Sequence, residues 1–263
     1  MAPLFLLLLA AAALAPSQAA ARFTCNAKSR ATTCQALVSY TPPPNTTMTL
    51  ADIRALFQLR SHRGLLAANA LPLSTGPRAP APSPVRVRLP CLCSGGAGAT
   101  FQRPTYKVRA GATLDAVARG AFAGLVTYRD IAAANNVSDP NRVAVGQELW
   151  VPLPCSCDPV GGVDVVHLTY VVPAGPSVAG IAEEYGSTEE TILGLNRMAD
   201  AKSLLAGQVL DVPLRGMPKS FPFLLAPTAP RFNHSGGDVV MCATLLPACS
   251  ASIIYTKCSE LFY

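Results

Sequence analysis

A chain of 263 residues leaves room for one or two ordinary domains. Its net charge of +6 is mostly arginine, and no basic patch is interleaved with aromatics, which make up 6% of the chain, so a nucleic-acid surface is excluded. Nine cysteines point instead to small units that need covalent staples because each buries little core.

Leu4 to Leu14 is an apolar run of signal-peptide length, followed by Pro16 and the small-residue stretch Ala19-Ala20-Ala21. Residues 1–21 therefore read as a secretory signal peptide; the run is too short to span a bilayer. An exported chain is where disulfides persist and where the sequons at Asn45, Asn136 and Asn233 are open to glycosylation.

Residues 22–90 form a weaker copy of a unit seen twice further on. Gln35 to Tyr40 predicts a strand, Thr49 caps a helix from Leu50 to Phe57, and Leu65 to Asn69 starts to mirror a later helix. A proline-rich loop, Pro72 to Pro84, precedes the closing strand at Val87-Arg88-Leu89. Residues 91–105 are a linker that begins with Cys91-Leu92-Cys93, and residues 154–167 are a second one with Cys155-Ser156-Cys157. On the reading that an extended Cys-x-Cys sends its sulfurs to opposite sides, each motif reaches two separate partners. With Cys25 and Cys34 this makes three bonds, and the residues alone leave their connectivity open.

The middle unit, 106–153, and the third, 168–214, are copies of one another. Tyr106-x-Val108-x-x-Gly111 answers Tyr170-x-Val172-x-x-Gly175, and Gly146-Gln147-x-Leu149-x-Val151-Pro152 answers Gly207-Gln208-x-Leu210-x-Val212-Pro213. Each reads as a strand, a turn, a helix N-capped by Thr113 in the middle copy, a second helix with Ile131 and Asn135 on one side, and a closing strand. The middle copy carries three extra residues near Ala123-Gly124-Leu125. Residues 215–263 are an irregular cysteine-containing tail in which Cys242, Cys249 and Cys258 are an odd number. It reads as a truncated or alternatively spliced end, with only a faint lipid-anchor signal after Ser235.

These repeats resemble the LysM module, a small βααβ carbohydrate-binding unit. Three of them joined by Cys-x-Cys, with two cysteines in front and no kinase, resemble the plant LysM receptor-like proteins. The implied fold class is α+β: three βααβ LysM modules packed together and cross-linked by disulfides through the Cys-x-Cys linkers. The resemblance also implies the pairing Cys25–Cys93, Cys34–Cys157 and Cys91–Cys155. It implies a groove in the middle module between Arg109, Gly111, Ala112, Thr113, Leu114 and a facing loop with Asp139, Pro140, Asn141 and Arg142. The ligand class is chitin or peptidoglycan oligosaccharide, met by backbone groups and small side chains.

The implied role is an immune receptor at the outer face of the plasma membrane or secreted from it. It would signal through a LysM receptor-like kinase and self-associate on ligand, needing no cofactor and no metal. The alternative is a secreted LysM lectin that coats or scavenges wall glycan without signalling. An enzyme is not expected. Glu183-Glu184 and Glu189-Glu190 are splayed on helices, His167 reads as a surface residue, and no catalytic motif is present. Trp150 is poised between a sugar platform and packing, while Asn135 and Asn196 read as holding helix ends.

Overall fold

The structure is a computed structural model that describes residues 23–25 and 32–214. The signal segment 1–21, the sequon Asn233, the tail 215–263 with Cys242, Cys249 and Cys258, and the anchor reading lie outside the described residues. Three βααβ units follow in order. The first runs through β2 (Thr32–Tyr40), α1 (Leu50–Leu56), α2 (His62–Ala68) and β3 (Val85–Ser94), and is preceded by β1 (Phe23–Thr24). After β4 (Ala97–Thr100) the second has β5 (Thr105–Lys107), a π-helical segment (Ala116–Ala121), α3 (Tyr128–Ala134) and β6 (Glu148–Trp150). The third has β7 (Val166–Val171), α4 (Val178–Glu184), α5 (Glu189–Leu195) and β8 (Val209–Leu214).

Each helix starts where a hydroxyl can meet an orphan amide. Thr49, Ser61, Thr113, Thr127, Ser177 and Thr188 accept from the amide three residues ahead at 3.0–3.2 Å. Asp52 and Asp130 return the bond to Thr49 and Thr127, completing capping boxes. Helices of seven residues cannot sustain themselves in water. They persist because Leu50 and Ile53, Leu65 and Leu66, Val178 and Ile181 are buried under their own strands.

Thr113 to Thr127 spans fourteen positions, against eleven from Ser177 to Thr188. The middle unit absorbs this surplus by widening its first helix. The Phe122 amide donates to Val117 O at 3.1 Å, a five-residue closure, and the chain then turns through Ala123 and Gly124, both at positive φ. The widening carries Phe122 to the place that Phe57 and Tyr185 hold in the other units. All three rings pack edge-on against the tyrosine of their unit's first strand: Tyr40–Phe57 at 5.2 Å, Tyr106–Phe122 at 6.2 Å and Tyr170–Tyr185 at 5.5 Å.

Two sheets result. Six strands in the order β1-β4-β3-β2-β7-β8 merge the first and third units, and β5-β6 form a separate pair. The merger is a short parallel contact, Leu37 opposite Leu168 and Val38 opposite Thr169. The first and second units instead share a core, in which Phe57 and Phe122 meet at 6.0 Å and the Tyr40 hydroxyl donates to Ala121 O at 3.0 Å.

Among the described residues the disulfides are Cys25–Cys93, Cys34–Cys157 and Cys91–Cys155, clustered around Ala36 with Cys34 partly buried. The expectation of sulfurs on opposite sides is corrected for the first motif. Cys91 and Cys93 lie within β3 two residues apart, so both side chains fall on one face, buried while Leu92 is half-exposed. They part company because adjacent same-face positions on a strand keep their sulfurs side by side rather than converging. Gly98 makes the cluster possible: a Cβ there would stand 1.9 Å from Cys155 O and 2.7 Å from Cys25 Sγ.

His167 is also corrected. It is 1% exposed, with Nδ1 2.7 Å from Asp211 Oδ1 and Nε2 2.7 Å from Asp158 O. β7 is buried on both faces from Val166 to Tyr170, which places His167 between the linker and β8, a placement that a position just ahead of the repeat did not disclose.

Candidate functional site

The two loops expected to face each other in the middle unit do so, held by one backbone bond from the Leu114 amide to Pro140 O at 3.1 Å. Gly111 stands exposed at φ 76°, a conformation that glycine adopts without cost, and nothing lies within 4 Å of where its Cβ would be. Ala112 and Thr113 are half-buried beside it, with the Ala112 amide closing a turn onto Arg109 O at 3.2 Å.

On the facing loop Asp139 organises its own turn. Its Oδ1 accepts from the Asn141 amide at 3.0 Å, its carbonyl accepts from the Arg142 amide at 3.0 Å, and its Oδ2 lies 3.5 Å from Arg142 Nε. The amides of Ala112, Leu114, Asn141 and Arg142 are thus already engaged. Leu114 offers neither side chain nor amide, because its side chain is fully buried. The Thr113 hydroxyl is occupied by the Ala116 amide. What remains open is the Gly111 backbone with the half-buried Ala112 and Pro140 and the side chains of Arg109, Asn141 and Arg142.

Equivalent loops differ in the other units. In the first, the Leu50 amide donates to Ala79 O at 3.0 Å, the Ala51 amide to Pro77 O at 2.8 Å, and the Ala81 amide to Met48 O at 2.8 Å. The proline-rich segment therefore lies along the loop ahead of α1, held to it by three backbone bonds where the middle unit has one. In the third, Asp200 caps the short turn Ala201–Ser203, and among the described residues no backbone hydrogen bond is found between Pro173–Val178 and Arg197–Leu204. A separate open groove of about 640 Å³ runs between α1 and β5, with Met48 and Leu56 on one wall and Tyr106, Lys107 and Arg109 on the other.

Asn135 is fully engaged by backbone. Its Nδ2 donates to Ile131 O at 2.7 Å and Trp150 O at 2.8 Å, and its Oδ1 accepts from the Trp150 amide at 2.8 Å. Asn196 repeats this with Ile192 and Asp211, and Asn69 with Leu65 and Arg86. Each asparagine acts as one residue of an extra strand, tying the second helix's end to the closing strand. The Trp150 ring is half-buried and carries the Arg103 guanidinium 4.9 Å from its centroid, so one face is covered by a cation–π contact.

The Sγ atoms of Cys34, Cys91 and Cys157 lie within 4.8 Å of one another. All three are disulfide sulfurs, hence not thiolate ligands. Glu183 and Glu184 are exposed at the end of α4. Among the described residues no helix is long and apolar enough to cross a membrane.

The LysM domain is matched at residues 106–152 and 170–213. The chain is 45% identical to the chitin elicitor-binding protein of Oryza sativa subsp. japonica, over 74% of this chain and 54% of that protein. It is 39% identical to the LysM domain-containing GPI-anchored protein 2 of Arabidopsis thaliana, over 78% of this chain and 58% of that protein. The chain thus spans about half the length of these relatives. Among solved structures, the ectodomain of a receptor like kinase has the same fold, with a TM-score of 0.57 at 23% identity, covering 69% of this chain and 92% of that one.

Proposed function

Because the chain is a LysM-domain protein of the plant receptor-like kind, we propose that it binds N-acetylglucosamine-containing glycan, chitin or peptidoglycan oligosaccharide, in the groove of its middle unit. It does so at the outer face of the plasma membrane or after secretion, as one part of an immune receptor whose signal is passed on by a LysM receptor-like kinase. The observation that carries the site is the single strap from the Leu114 amide to Pro140 O. It holds two loops at fixed spacing yet leaves the Gly111 backbone and the half-buried Ala112 and Pro140 open, a surface suited to a neutral chain with acetyl methyls and amides. In the first unit the matching loops are strapped by three backbone bonds rather than one, which favours the middle unit as the site.

The test is retention on insoluble chitin and on peptidoglycan, with cellulose as control. Retention on either of the first two but not on cellulose is expected, and Ala112→Tyr, which fills the groove, lowers it at least about tenfold. Pro176→Tyr at the matching place of the third unit leaves it unchanged. Retention of Ala112→Tyr at the parent level overturns the middle site; equal retention on all three polymers overturns the ligand. Co-precipitation of a LysM receptor-like kinase after addition of chitin oligomers tests the signalling role, which its absence overturns.

A further inference from the structure

Charge is divided sharply along the described chain. Residues 32 to 105 hold seven arginines and one acidic residue, Asp52, a net +6, whereas residues 154 to 214 hold eight acidic and two basic residues, a net −6. Asp52 stays ionised and offsets one of the seven, which the net +6 already counts. Its Oδ2 accepts from the Thr49 hydroxyl at 2.7 Å and the Thr49 amide at 2.8 Å, and these bonds hold its carboxyl below the usual range.

Four of the arginines border one structural feature, the proline-rich segment of the first unit. The Ala51 amide donates to Pro77 O at 2.8 Å and the Leu50 amide to Ala79 O at 3.0 Å, so Arg78 is carried alongside α1. Arg54 sits one turn along α1 from Ala51 and on the same side of it. At its other end the segment is tied to α2, where His62 Nε2 donates to Thr75 O at 2.9 Å, and Arg63 follows His62 directly. Arg60 lies in the turn between the two helices.

None of the four has a carboxylate partner: the ion pairs among the described residues are Arg119–Asp115, Arg142–Asp139 and His167–Asp211. The side chains of Arg60, Arg63 and Arg78 are exposed, and Arg54 is half-buried. The only large apolar side chain strongly exposed in this segment is Leu73, so the surface lacks the apolar centre of a protein interface. Guanidinium forks grouped on α1, α2, the turn between them and the segment beside them fit carboxylates spaced along a polymer.

We propose that the first unit carries a docking surface for a carboxylated polysaccharide, a polyuronate, separate from the middle unit's groove. It would hold the protein against an acidic wall matrix independently of any neutral oligosaccharide it binds. The competing occupant is the acidic third unit of a second copy.

The full chain is passed over immobilised polygalacturonate, over its fully methyl-esterified neutral form and over chitin, at low and high NaCl. Retention on polygalacturonate that is abolished by salt and absent on the methyl ester is expected. Arg54→Gln/Arg60→Gln/Arg63→Gln/Arg78→Gln lowers it at least about tenfold, with an unchanged thermal midpoint and no change on chitin relative to the parent. Arg119→Gln, which removes a paired arginine elsewhere, does not. Equal retention on acid and ester, or a quadruple variant that binds polygalacturonate like the parent, overturns the proposal. A chain that dimerises at low salt through these arginines and is not retained on polygalacturonate overturns it in favour of self-docking. Because the chitin column is read separately, failure of this surface and failure of the groove are distinguishable.

Discussion

Three asparagines, Asn69, Asn135 and Asn196, carry the same bonds in three units that otherwise share few residues outside the core. A single amide side chain there replaces a strand residue, satisfying two carbonyls and one amide that would be left without partners beside a closing strand. Asn135→Ala removes all three bonds. It is expected to lower the unfolding free energy by about 2–4 kcal/mol, read as a shift of the urea midpoint. A loss no larger than that of an exposed alanine substitution on α3 would sink the account. The role was legible for Asn135 and Asn196, since Ile-x-x-x-Asn recurs at a fixed distance from Gly-Gln. His167 was not legible, because a lone histidine one residue ahead of a repeat gives no sign of which face its strand buries. Both its ring nitrogens face acceptors, Asp211 Oδ1 and Asp158 O, so the pair acts as a buried clamp between linker and β8. Asp211→Ala should cost about 3–5 kcal/mol by leaving the imidazole without its partner. His167→Leu/Asp211→Leu should cost less than the two single changes added together, and strict additivity would contradict the coupling.

Strands and helices follow local signals closely. The Thr49 and Thr113 caps, the Val87-Arg88-Leu89 strand and the Gly-Gln turns of the second and third units were legible, and the three extra residues of the middle unit were visible as a change of offset. Their fate was not, because a π-helical closure depends on where Phe122 must land to meet Tyr106, a contact between elements rather than within one. The Cys-x-Cys motifs show the same limit: spacing announces a junction, yet which face the sulfurs share depends on whether the segment pairs as a strand, as β3 does along β2 from Cys93 opposite Thr32 to Val85 opposite Tyr40. β4 then supplies the one residue that the junction tolerates. Gly98→Ala would drive a methyl into Cys155 O and Cys25 Sγ, so it is expected to block closure of Cys25–Cys93. Alkylation followed by mass analysis should find free Cys25 and Cys93 in the secreted variant, or no secreted variant at all. A fully oxidised product at the parent's yield would count against this packing.

Among the described residues the first unit has a partner on each side, joined in different ways: the third unit by strand pairing through β2 and β7, the second by a shared aromatic core. Neither junction could be read from the repeats, because copies of one module say nothing about which surface each turns to its neighbour. The shared core has a consequence at high pH. Burial pushes the Tyr40 phenol from its ordinary 10.0 up to about 12, and burial also raises Tyr185 and Tyr170. The folded chain therefore holds these protons more tightly than the unfolded chain, and the stability this represents is complete below pH 10 and lost as pH climbs through about 12. Tyr40 bridges the first two units through its hydroxyl, which donates to Ala121 O at 3.0 Å. Tyr40→Phe keeps the ring against Phe57 but loses that bond, so at neutral pH it should cost about 1 kcal/mol. Between pH 10 and 12 its urea midpoint should fall less steeply than the parent's, because one of the protons whose loss drives the fall is gone. Parallel curves for the two proteins across that range would place the alkaline transition elsewhere, in the third unit's Tyr170 and Tyr185 pair.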